Sequence, residues 1–114
     1  MAEVKLRKYA FKSKVWKHKG TAGWHFVTVP LRMTKTIRKI HGLSEEGWGR
    51  LKATASIGEV KWQTAIWFDT KANGYLLPIK APIRRKLKAA QGSSFTVYLF
   101  LLPEERRINF SKEI

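Results

Sequence analysis

Apolar and polar positions alternate along most of this chain, and in two places the period lengthens to that of a helix. From Leu6 to Lys19 the alternation predicts a long first strand. Tyr9, Phe11, Ser13 and Val15 line one face, and Lys8, Lys12 and Lys14 with Trp16 line the other. The Gly-rich turn Lys19–Gly23 leads into a second strand, Trp24–Val29, with Val27 and Val29 opposite Trp24 and Phe26. Pro30 ends it. The next segment, LRMTKTIRKIHG, puts Met33, Ile37 and Ile40 on one helix face, and Gly42 closes the helix. After the loop LSEEGW come two strands, Arg50–Ile57 and Val60–Phe68, joined by a turn at Gly58-Glu59. On the second of these, Trp62 and Trp67 fall on opposite faces, so one is core and one points outward.

The stretch Gly74–Leu102 organises the rest. Asn73-Gly74 suits a two-residue hairpin turn, Tyr75–Leu77 is a short strand and Pro78 ends it. In KAPIRRKLKAAQG, Ile83, Leu87 and Ala90 share a helix face, with Pro82 in the first turn and Gly92 as the stop. Phe95, Val97, Leu99 and Leu101 then alternate as a strand. The two helices echo each other: Met33/Ile83, Ile37/Leu87, Ile40/Ala90 and Gly42/Gly92 are each fifty positions apart (83 − 33). The shared order of strand, Pro, helix, Gly, strand predicts two halves on one plan, with a pseudo-two-fold relation. Six or seven short strands and two short capping helices make a small, mostly-β barrel over residues 1–102, followed by a charged C-terminal tail, 103–114.

Composition changes this picture in one respect. With 23 Lys+Arg against 8 Asp+Glu, the net charge is +15, a field that favours nucleic acid, anionic lipid or acidic proteins. Five Trp and six Phe supply core material, so a chain of 114 residues closes one domain without disulfides or metal. Cysteine is absent, which suits a reducing cytoplasm, and no apolar run is long enough to span a bilayer. Enzyme chemistry and cofactors are not expected. His18, His25 and His41 are scattered, Glu45 and Glu46 sit together in a solvated loop, and no phosphate loop, nucleophile elbow or HExxH is present.

The stretches WHFVTVP, GRLKATASIGEVKWQTAIWF and GYLLPIKAPIRRKLKAAQG resemble the bacterial and archaeal domain-of-unknown-function 1905 family, from roughly Tyr9 to Leu102. The resemblance implies a double-split β-barrel, two swapped-hairpin units fused in one polypeptide, related to the AbrB and MazE regulators and antitoxins. Gly74, Pro78, Lys80, Arg84, Arg85, Leu87, Gly92 and Val97 follow the order of the regulator hairpin. The departures are Gly92-Ser93 for Gly-Asp, Ile57-Gly58 for Asn-Gly, and a slightly different spacing from Gly74 to Leu87. Because both halves lie in one chain, a monomer is expected.

The leading functional expectation is a non-catalytic nucleic-acid (DNA) binding module of weak sequence specificity. Its phosphate contacts would come from Lys35, Arg38 and Lys39 on the first helix and from Lys80, Arg84, Arg85 and Lys88 around the second. Lys8, Lys12 and Lys14 would add a cationic strand, with Trp16 as a stacking platform. Lysines on that strand also serve simply to block edge pairing. The rival expectation is a protein-interaction or structural module that recruits an acidic partner.

Overall fold

The computed structural model describes residues 6–20, 23–89 and 91–102. The expected tail, 103–114, and Ala90 of the second helix face lie outside the described residues. The strands are β1 (Arg7–Lys14), β2 (Trp16–Lys17), β3 (His25–Thr28), β4 (Arg50–Ile57), β5 (Val60–Asp69), β6 (Gly74–Pro78) and β7 (Ser94–Leu101). The helices are α1 (Leu31–His41) and α2 (Ala81–Leu87). All strand pairs are antiparallel, and the seven strands form one curled, half-barrel sheet in the order β1-β7-β4-β5-β6-β3-β2.

The two ends of that order are successive pieces of one chain segment. The expected long first strand is broken at Val15: β1 pairs with β7 at one end of the sheet and β2 with β3 at the other. Opposite Val15 stand two residues. The Gly92 N–H donates to the Val15 carbonyl and the Val15 N–H to the Ser93 carbonyl, both at 2.8 Å, with Gly92 at φ +91°. This is a glycine β-bulge, which bends a strand and sharpens its twist where a sheet must turn. Ser13 Oγ donates to the Thr28 carbonyl at 3.0 Å, tying the segment across to β3.

The alternation read from the sequence sets the faces. Phe11, Val27, Leu51, Ala55, Ile66, Leu77, Val97 and Leu99 are buried inward, with Trp62 and Phe68 packed against them. β4 and β5 pair without a slip from Arg50↔Trp67 to Ile57↔Val60, around Gly58 at φ +57°, where a side chain would be strained. The next hairpin closes through DTKANG, Asp69–Gly74, as the sequence suggests, but not by a two-residue turn. Residues 70–73 form its loop, Asn73 takes the positive φ (+55°), and Asp69 Oδ2 accepts the Ala72 N–H at 2.7 Å. Gly74 is a strand residue instead, and a Cβ there would meet Thr34 Oγ1 at 3.4 Å and the Val29 carbonyl at 3.5 Å.

The helices hold opposite ends of β6. In α1 the buried residues are Thr34, Ile37 and His41, while Met33 is half-buried, so the packed face is rotated from the expected Met33–Ile37–Ile40 stripe. Thr34 explains the rotation. Its hydroxyl donates to the Val29 carbonyl (3.3 Å) and accepts the Tyr75 N–H (3.4 Å), pinning α1 to the Gly74–Tyr75 end of β6. α2 follows the Pro78 end, with its proline in the first turn and Ile83 and Leu87 against the core. It stops before Gly92: Lys88 takes the left-handed conformation (φ +54°) and its N–H bonds back to the last turn. Gly92 is thereby freed for the bulge.

Candidate nucleic-acid interface

The outward face of the sheet follows from the same registers. Thr28 of β3 pairs with Leu76 of β6, Leu76 with Trp67 of β5, and Trp67 with Arg50 of β4, so these four side chains form one row across the surface. Beside it, Trp16 pairs with Phe26 and Phe26 with Pro78, next to Ala65 and Lys52. Aromatic rings dominate the β2–β3 end. Trp24 stacks on Phe26 (centroids 6.0 Å, interplanar angle 16°), and Trp16 lies 5.2 Å from Phe26 on its other flank. The Trp16 indole N–H donates to Thr28 Oγ1 at 2.8 Å, which fixes that ring in place. Trp24 is 49 % exposed and Trp67 38 %, a large apolar ring area to leave in water.

Cations rim this floor. Arg50 sits over the Trp67 ring (5.5 Å) and pairs with Glu46 at 2.6 Å, while Lys52 reaches Glu46 at 3.9 Å. Lys80 is exposed at the end of β6, and Arg84 Nη1 donates to the Ile79 carbonyl at 2.8 Å, which orients the guanidinium beside it. Two adjoining clefts open here. One of about 350 Å³ lies between Trp24, His25, Ile79 and Arg84, and one of about 450 Å³ lies between Trp24, Trp67, Ala65 and Lys52. Pro78 and Lys80 line both.

The residues anticipated from sequence fall into separate groups. Lys8, Lys12 and Lys14 are exposed on the outward face of β1, with Lys8 over the Tyr98 ring at 5.0 Å. Lys35 and Lys39 are exposed on α1, and Arg85 and Lys88 at α2. The helices hold opposite ends of a five-residue strand, roughly 16 Å of chain, so their basic groups do not merge. Of the anticipated set only Lys80 and Arg84 reach the clefts, and Trp16 belongs to the aromatic row behind Phe26. Trp24, Trp67, Arg50 and Lys52 were not singled out. Alternation puts Lys52 outward and separates Trp24 and Trp67 from their neighbours, but neither the choice of outward ring nor the registers that bring β3, β6, β5 and β4 into one row are local.

Arg38 serves a different purpose. Its guanidinium lies over Phe68 at 4.0 Å and pairs with Glu45 at 3.6 Å, and Glu45 in turn accepts the Tyr75 hydroxyl. Glu45 is therefore no solvated loop acid: it is largely covered and joins α1 to β6. Burial, then the Glu45 hydrogen bond, raises the Tyr75 pKa well above its ordinary value. The sign follows. Above about pH 10 the unfolded phenol ionises while the folded one keeps its proton, so stability at neutral pH is lost as pH rises beyond that point. Denaturation curves at neutral and strongly alkaline pH are expected to show this fall, and Tyr75→Phe to reduce it. A second phenol link lies nearby, where Tyr9 Oη and His41 Nε2 are joined at 2.8 Å.

Among the described residues no group of three or more His, Asp or Glu is placed to hold a metal ion, and no helix is long and apolar enough to cross a membrane. The fold and surface define a small antiparallel β protein with two short helices and a basic, aromatic outer face. The family model for the domain of unknown function DUF1905 matches residues 11–99, and the chain belongs to that family. No curated protein matches the chain.

Proposed function

We propose that this chain is a non-catalytic nucleic-acid-binding module whose contact surface is the outward face of the sheet. The observation that carries the reading is the exposed aromatic floor of Trp24, Phe26 and Trp67 rimmed by Arg50, Lys52, Lys80 and Arg84. Stacking on rings with cations set for the backbone is how proteins hold bases without reading their edges, so specificity is weak. The overall charge of +15 draws the polyanion to the surface. An acidic protein partner would use the same cations but leaves the exposed Trp24 and Trp67 rings without a purpose.

The fold reading belongs to the same proposal. The chain is a double-split barrel made of two fused hairpin units about a pseudo-two-fold axis. It is a monomer because the segment that starts the sheet also finishes it. Support comes from β1 and β2 meeting at Val15 and from the two strand-Pro-helix units at opposite ends of β6. The cysteine-free composition fits a cytoplasmic setting. Titration of labelled single strands and duplexes at low and moderate salt tests the binding. Saturable binding at low salt is expected, and its absence there contradicts the proposal.

A further inference from the structure

The two adjoining clefts narrow the class of nucleic acid. Resting on the reading above, we propose that this face takes a single strand, with successive bases in the clefts on either side of Trp24 and Lys80 and the connecting phosphate at the Lys80 ammonium. The first cleft is lined by the exposed Trp24 ring and by a guanidinium held in place by the Ile79 carbonyl, over the buried Pro78 and Ile79. At about 350 Å³ it falls within the range of small-ligand sites, room for a planar ring and its sugar. The second cleft repeats the chemistry, with Trp67 as its ring and Arg50 and Lys52 as its cations.

Duplex does not fit this arrangement. Paired bases cover each other's faces, so a duplex presents edges and phosphates and leaves Trp24 and Trp67 unused. A strand with free base faces uses both rings. Charge agrees: the one acid among these cations is Glu46, which pairs with Arg50 and Lys52, while Lys80 and Arg84 form no ion pair within 4.0 Å among the described residues. Trp24 already packs one side of its ring near Phe26, nearly parallel to it, so part of its freedom is spent before a base settles against it.

The test compares short oligothymidylate, a duplex of matched length and thymidine monophosphate at one salt concentration, by tryptophan fluorescence and by anisotropy of labelled strands. The wild-type chain is expected to bind the single strand about tenfold or more tighter than the duplex, and Trp24→Ala and Trp67→Ala to weaken it by about tenfold each. Trp24→Phe restores part of the loss, and Lys80→Ala weakens strand binding while leaving fluorescence of the free protein unchanged. Tight monophosphate binding with none to the strand places the occupant as a free nucleotide and overturns the proposal. Equal binding of strand and duplex, unaltered by either tryptophan variant, also overturns it while leaving general nucleic-acid binding intact. No binding of any probe at low salt removes both readings.

Discussion

Replacing Leu77 with alanine is expected to cost about 2–5 kcal/mol of folding stability, a large part of the 5–15 kcal/mol typical of a domain. Leu77 is fully buried on the inward face of β6, opposite Val27, and strand β6 carries α1 at one end and α2 at the other. Removing its side chain takes apolar surface out of the core and leaves a cavity that three surrounding elements, each fixed by backbone hydrogen bonds, cannot collapse to fill. The hydrogen bonds from Val29 N–H to the Tyr75 carbonyl and from Ile79 N–H to the His25 carbonyl hold β6 rigidly on both sides of the gap. Denaturant titration measures the change. Leu43→Ala is the matched control, since Leu43 is exposed and its loss is expected to stay within about 0.5 kcal/mol.

The second large effect is on salt. Four cations rim the clefts: Arg50, Lys52, Lys80 and Arg84. If each neutralises one phosphate of a single strand, the slope of log affinity against log salt is near −3, at about 0.7 per contact. A fourfold rise in salt then weakens binding by about fiftyfold. A duplex gripped by both helices together with the β1 lysines would engage more cations and give a distinctly steeper slope. Equilibrium titrations across the salt range read the slope directly. A value near zero would mean that phosphates are not contacted at all.

How much of this was legible in the sequence depends on the range of the interaction. Strand faces are local: the alternation set Leu51 and Ala55 inward and Lys52 outward, and it separated Val27 from Trp24 and Trp62 from Trp67 without deciding which ring is core. Family membership was legible too, carried by the WHFVTVP, GRLKATASIGEVKWQTAIWF and GYLLPIKAPIRRKLKAAQG stretches and shown by the match over residues 11–99. What escaped was set by partners distant in the chain. Nothing near Val15 announces that its segment changes neighbours there, because the cause is the bulge at Gly92-Ser93. Gly92 reads as a helix stop after LKAAQG, yet α2 ends at Leu87 with Lys88 left-handed. The periodicity of α1 favoured Met33 and Ile40, and the structure chose Thr34 and His41 because each finds a hydrogen-bond partner on a strand or its flank.

The interface follows the same logic. Clusters of Lys and Arg mark both helices in the sequence, but the fold sets the helices at opposite ends of β6. Trp24 and Trp67 are 43 positions apart (67 − 24) and line one cleft only because β6 runs between β3 and β5. Glu45 illustrates the converse. A carboxylate beside another in a polar loop reads as solvated, and only the fold brings the Tyr75 hydroxyl and the Arg38 guanidinium to it.

If nucleic acid is held on the outward sheet face, with Lys80 and Arg84 at the start of α2, and not by α1 or the far end of α2, NMR shifts during titration with a short single strand will show it. The indole N–H signals of Trp24 and Trp67 and the amides of Lys52, Ala65 and Lys80 are expected to move together and saturate together. Shifts confined to the amides of Lys35, Lys39, Arg85 and Lys88, with both indoles unmoved, would contradict it.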